Sequence, residues 1–137
     1  MRTFFDSSAF AKRYIDEPGS LAIDELCMAA TELALSIVCI PEIISALNRR
    51  VREGNLSRRR YQEVKKRLLE EVADVEIVNL TPPVISSCTT ILEVSPVRAM
   101  DALHVASAVH WKAELFVSAD ARQISAAKAA RLRTKSV

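Results

Sequence analysis

The chain has 137 residues, half of them apolar, enough for one domain with a substantial core and too few for two. Its net charge is only +2, but residues 49–67 hold nine basic groups against Glu53 and Glu63, so that stretch is +7 and the rest sums to −5; a basic surface for a polyanion is compatible with acids kept for another purpose. Cys27, Cys39 and Cys88 lie in apolar surroundings with no CxxC, which excludes a disulfide framework or zinc site, and the absence of an apolar run of about 18 residues excludes a spanning helix. With an acid at position 6 where a signal peptide needs apolar residues, the expectation is a reduced, cytoplasmic protein without a membrane partner.

Short apolar runs alternate with helical patterns. Thr3 to Phe5 reads as a strand closed by Asp6, with Ser7 or Ser8 available to cap a helix carrying Phe10, Ala11 and Tyr14 up to the Pro18-Gly19 break. A helix over residues 20–30 follows, then a buried strand over 33–38. Pro41 suits the first turn of a helix with Ile44, Leu47 and Val51 on one side, ended by Gly54-Asn55. Ser57 caps the next, whose buried stripe is Tyr61, Val64, Leu68 and Val72, so the two helices form a hairpin. Residues 75–78 make a third strand, and Pro82-Pro83 opens a helix carrying Ile85, Thr89 and Leu92. Ser95-Pro96 separates this from a helix over 98–111, and a fourth strand covers 115–117. A last helix spans about 122–130, and residues 132–135 are polar enough to form only an edge strand.

Strands separated by helices, with no hairpin signal between them, predict an α/β class protein around a mostly parallel sheet of four or five strands. Ligands of such folds collect beyond the C-terminal strand ends, where strand order reverses. Asp6 and Asp120 follow strands and Glu42 follows one closely, so three acids are expected at that edge. Asp101 interrupts the apolar helix Ala-Met-Asp-Ala-Leu-His-Val-Ala-Ser-Ala-Val, which predicts a buried carboxylate in need of a cation or donors. Each acid also has an ordinary structural reading: Asp6 and Asp120 as helix caps, Glu42 as a partner of a helix dipole. With glycine only at positions 19 and 54, neither a dinucleotide fingerprint nor a P-loop can be written, so phosphates must be met by metal and cations.

The segments Phe-Phe-Asp-Ser-Ser-Ala-Phe-Ala-Lys-Arg-Tyr, Ile-Pro-Glu-Ile-Ile-Ser-Ala-Leu-Asn-Arg, Arg-Ala-Met-Asp-Ala-Leu-His-Val-Ala-Ser-Ala and Phe-Val-Ser-Ala-Asp-Ala-Arg-Gln together resemble the PIN domain, specifically VapC-like toxin ribonucleases of toxin-antitoxin systems. The resemblance covers nearly the whole chain and implies a single PIN-like domain over residues 1–137, a three-layer α/β/α fold, and a homodimer silenced by a cognate antitoxin. It also implies a Mg²⁺- or Mn²⁺-dependent endoribonuclease site in which Asp6, Glu42, Asp101 and Asp120 match the acidic quartet. Asp6, Asp101 and Asp120 are then the metal ligands, Asp6 and Asp101 being the direct ones, while Ser8 and Ser118 act through the ligands. Arg131 stands where many relatives have glycine.

Arg49, two turns after Glu42, and Arg98, one turn before Asp101, are candidate contacts to RNA phosphate. His104 shares a helical face with Asp101 and reads more readily as a core residue. The run Arg58-Arg59-Arg60 with Lys65-Lys66-Arg67 suits RNA, an acidic antitoxin segment or solvent. Two other classes compete with the nuclease. A phosphatase-like switch would want an acid where Ser8 stands, and a catalytically weak PIN-like RNA- or protein-binding module would be natural only if one of the quartet were missing.

Overall fold

The computed structural model describes residues 1–137. Its sheet is formed by β1 (Arg2–Phe5), β2 (Glu32–Ser36), β3 (Glu76–Val78), β4 (Leu115–Ser118) and β5 (Thr134–Ser136), all parallel, in the order β3-β2-β1-β4-β5. Between them run α1 (Ser7–Phe10) continued by a 3₁₀ turn, α2 (Ser20–Ala29), α3 (Cys39–Arg52), α4 (Arg58–Val72), α5 (Pro82–Val94), α6 (Ala99–Trp111) and α7 (Ala121–Ala129). No helix is long and apolar enough to cross a membrane.

Alternation along the strands creates the three layers. Phe4, Ala34 and Phe116 pack toward α5, α6 and α7, with Phe4 and Phe116 stacked at 5.8 Å, while Phe5, Leu35 and Val117 pack with Phe10, Ile43, Leu47 and the α4 stripe on the other face. Because both faces are covered, the central strands are mostly apolar, with Thr3, Ser36 and Ser118 as buried polar exceptions. Clasping α4 to the first helical turn, Glu71 accepts from Tyr14 at 2.5 Å and Arg67 at 2.9 Å and pairs with Arg13 at 3.1 Å.

Most predicted elements are present within a residue or two, including the Ser57 cap, the Tyr61-Val64-Leu68-Val72 stripe and the edge strand β5. Three details differ. In α5 the buried stripe is Val84, Cys88 and Ile91, while Ile85 and Leu92 are exposed. Both stripes have helical spacing, so only packing against α6 chooses between them. In α3 the fully buried residues are Cys39, Ile43 and Leu47, with Ile44 and Val51 at the margin. The cap of α1 is Asp6 rather than Ser7 or Ser8, because both serine hydroxyls are engaged elsewhere.

Arg131 ends α7 in the left-handed region, at φ 68°, where the Leu132 N–H bonds to Ala127 and the Arg131 N–H to Lys128. This is the Schellman arrangement, which favours glycine. Arg131→Gly is therefore expected to raise stability by about 1 kcal/mol, read as a melting temperature higher by roughly 3 °C.

Candidate active site

Strand order reverses between β1 and β4, so the crevice beyond their C-terminal ends is the natural ligand position. Asp6 follows β1 there and is fully buried. Its Oδ1 accepts from the Ser8 hydroxyl at 2.8 Å and the Ala9 N–H at 2.9 Å, and its Oδ2 accepts from the Ser118 hydroxyl of β4 at 2.5 Å. Ser8 and Ser118 thus both donate to Asp6, and one of about four acceptor positions on the carboxylate remains open. Burial raises the Asp6 pKa; Ser118, the nearby His104 and the other donors offset that only in part.

Glu42 enters from the first turn of α3. A carboxylate has no proton to give, so both neighbours donate: Ser7 Oγ at 2.7 Å and His104 Nε2 at 2.5 Å, each to Oε1. Burial pushes Glu42 up, but these hydrogen bonds outweigh it and its pKa falls below the usual value. His104 is a core residue, as its apolar helix suggested, and is tied to the site as well; its Nδ1 is buried with no partner. Ser7 was not singled out in the sequence, since only the packing of α1 beside α3 reveals that it faces Glu42.

Asp101 is half-buried rather than deep in the core, because it lies in the first turn of α6, where a helix favours negative charge. Asp120 caps α7, its Oδ1 accepting from the Arg122 N–H at 2.8 Å. Burial first and repulsion from Asp120 second, with a further push from Glu42, raise the Asp101 pKa despite attraction to the Arg98 N–H and to His104. Gln123 donates to Asp101 Oδ1 at 3.1 Å. This amide also escaped the sequence reading, although a signal existed: Gln123 shares helical spacing with the buried Ala126 and Ala127.

A cleft of about 610 Å³ runs from Ser7, Ser8, Glu42 and Ala119 along α3 to Asn55, and Arg49 and Arg50 line it with Glu17 and Glu53. Arg49 thus shares the cleft with Glu42, whereas Arg98 is exposed at the start of α6. The four acids together offer the hard oxygen donors that suit Mg²⁺ or Mn²⁺. No three His, Cys, Asp or Glu side chains stand at ready ligand spacing. An ion such as Mg²⁺ keeps several waters and takes one or two carboxylates directly, and the repulsion that Asp120 and Glu42 exert on Asp101 is a charge excess a cation would relieve.

A parallel sheet with helices on both faces, and with Asp6 and Asp120 following β1 and β4, the strands that flank its switch point, defines an α/β protein of the doubly wound class. Within it, the PIN domain family model matches residues 3–129, and the chain belongs to that family. Among solved structures with this fold, VapBC2 from Rickettsia felis bound to a promoter DNA fragment matches at TM-score 0.72 and 12% identity, over 100% of this chain and 99% of that one. VapC20 from Mycobacterium tuberculosis, a sarcin-ricin loop cleaving toxin, matches at 0.70 and 16%, over 90% and 94%, and FitAcB from Neisseria gonorrhoeae at 0.70 and 13%, over 96% and 95%. No curated protein sequence matches the chain.

Proposed function

We propose that the chain acts as one PIN domain and is a divalent-metal-dependent endoribonuclease, the toxin of a cytoplasmic toxin-antitoxin pair. The observation that carries this is the buried Asp6 carboxylate at the sheet's switch point, bonded to Ser8 and to Ser118 of β4, together with Asp101, whose ionisation is opposed first by burial and then by Asp120 and Glu42. Asp101 and Asp120 would hold Mg²⁺ or Mn²⁺, with Asp6 contributing through its open acceptor position. When bound, such an ion lowers the pKa of a water and neutralises charge on the scissile phosphate. Glu42, kept anionic by Ser7 and His104, is a weak base, which fits it to orient a water rather than to take its proton. Arg49 is the better placed of the two arginines to meet an RNA phosphate, because it opens onto the same cleft; Arg98 would meet a strand leaving past α6.

The partners proposed are RNA as substrate, a second copy in a homodimer, and an antitoxin, the last because a toxin-antitoxin complex from Klebsiella pneumoniae shares this fold. The alternative, a binding module with little catalysis, draws on the absence of three acids at ready ligand spacing. One experiment separates them. Purified wild type should cleave RNA with Mn²⁺ or Mg²⁺ and stop with EDTA, and saturating Mn²⁺ should raise its melting temperature by several degrees, as about 2.7 kcal/mol is gained at 100 times Kd. RNA left intact, with no thermal shift at millimolar Mn²⁺, would sink the nuclease reading and leave the binding module.

A further inference from the structure

Gln123 stands at the third position of α7, three residues after its cap Asp120. A glutamine there ordinarily reaches back to the N–H of the capping residue. Here that N–H is already bonded to the Ser118 hydroxyl at 2.9 Å, and the amide turns away from its own helix. It crosses to α6 and donates to Asp101, 22 residues distant in the chain, from a position only 4% exposed. Its Oε1 is buried with no partner. That orphaned oxygen costs stability, and an apolar side chain of similar volume would fill the space without the cost.

The amide therefore ties the N-terminal turn of α6, which carries Asp101, to that of α7, which carries Asp120. These two carboxylates repel, and nothing else hydrogen-bonded to the Asp101 side chain comes from α7. We infer that Gln123 is a positioning residue that fixes the spacing of Asp101 and Asp120 and so sets the affinity of this edge for a divalent cation. The inference rests on the metal-site reading above and adds a residue of α7 that touches neither ion nor RNA.

The test is calorimetric titration of the full chain with Mn²⁺, alone and without RNA, in wild type and in Gln123→Met, with Gln123→Leu as a second apolar replacement should the first fold poorly. Both remove the donor and the orphaned acceptor while keeping the volume close. The expected result is Mn²⁺ binding weaker by at least about ten-fold, the scale for a lost support of a metal ligand, with a metal-free melting temperature equal to or above wild type. In cleavage assays the defect should appear as a raised Mn²⁺ requirement and shrink as Mn²⁺ is increased. Equal Mn²⁺ affinity in wild type and both variants overturns the inference and leaves the nuclease reading intact. Weaker affinity accompanied by a lower melting temperature assigns Gln123 to the core and overturns it too. Wild type that binds no Mn²⁺ brings down the metal reading itself.

Discussion

Asp101→Asn should leave RNA cleavage roughly 1,000-fold below wild type, the scale of several kcal/mol of lost charge stabilisation, while the protein melts at a higher temperature at pH 7. The opposite signs follow from one fact, that the Asp101 carboxyl in the fold is harder to ionise than in the unfolded chain. A raised acid favours the native state while it is protonated. That contribution is present below its ordinary value of 3.8 and is lost as pH climbs through the higher value in the fold. At pH 7 the anion beside Asp120 and Glu42 is thus a liability of the metal-free protein. Asparagine keeps the acceptor oxygen for Gln123 and cannot ionise. Burial, with repulsion from Asp120 and Glu42, outweighs the Arg98 N–H and His104, which favour the anion, so losing the charge should still stabilise. Thermal melts in EDTA between pH 4 and 8 check this: the gain of Asp101→Asn over wild type should grow with pH. A variant that cleaves like wild type, or one whose gain vanishes at neutral pH, would show that Asp101 is an ordinary helix-start acid.

How much of this was legible before the fold was seen depends on whether a residue acts through its own helix or across the sheet. Asp6, Glu42 and Asp120 could be picked out because each sits at an element boundary, and boundaries follow from local rules of capping, proline and glycine; Asp101 stood out as an acid in an apolar helix, and Ser8 and Ser118 came from the resemblance to a family. The strand alternation of Phe4 and Phe5, which separates the two layers, is equally local. Ser7 and Gln123 could not be found that way. Their hydrogen bonds join positions 35 and 22 residues apart, and the partner is fixed only when α1 packs beside α3 and α7 beside α6. The same limit explains α5, whose two equally spaced apolar stripes differ only in what lies opposite. Burial was misjudged for a related reason: the apolar run around Asp101 suggested a deep carboxylate, yet a helix start is an open end, and it is Asp6, in the crevice between β1 and β4, that is fully enclosed.

Asp6 makes the second large prediction, in which two substitutions at one position should part company. Asp6→Ala removes the cap of α1 and strands the buried donors Ser118 Oγ and Ala9 N–H. Because the cap is itself the bond from the Ala9 N–H, about 1 kcal/mol for it and 1–3 kcal/mol for the unpaired Ser118 hydroxyl make the loss about 2–4 kcal/mol, or roughly 7–14 °C in melting temperature. For a domain with about 5–15 kcal/mol in total, such a variant is partly unfolded under assay conditions and its inactivity says little. Asp6→Asn is different. Its Oδ1 still accepts from Ser8 and Ala9, and its amide nitrogen can donate to Ser118, whose hydroxyl has a second lone pair beside the one already accepting from the Asp120 N–H. Because burial already disfavours the Asp6 anion, replacing it by a neutral group should cost under about 1 kcal/mol. Cleavage is what should change, by 100-fold or more, if the open acceptor position of Asp6 serves the ion. Melting curves and single-turnover cleavage of both variants decide between two kinds of buried acid. A stable, inactive Asp6→Asn makes Asp6 part of the chemistry. A stable, fully active one makes it the keystone that joins β1, α1 and β4, and leaves the ion to Asp101 and Asp120 alone.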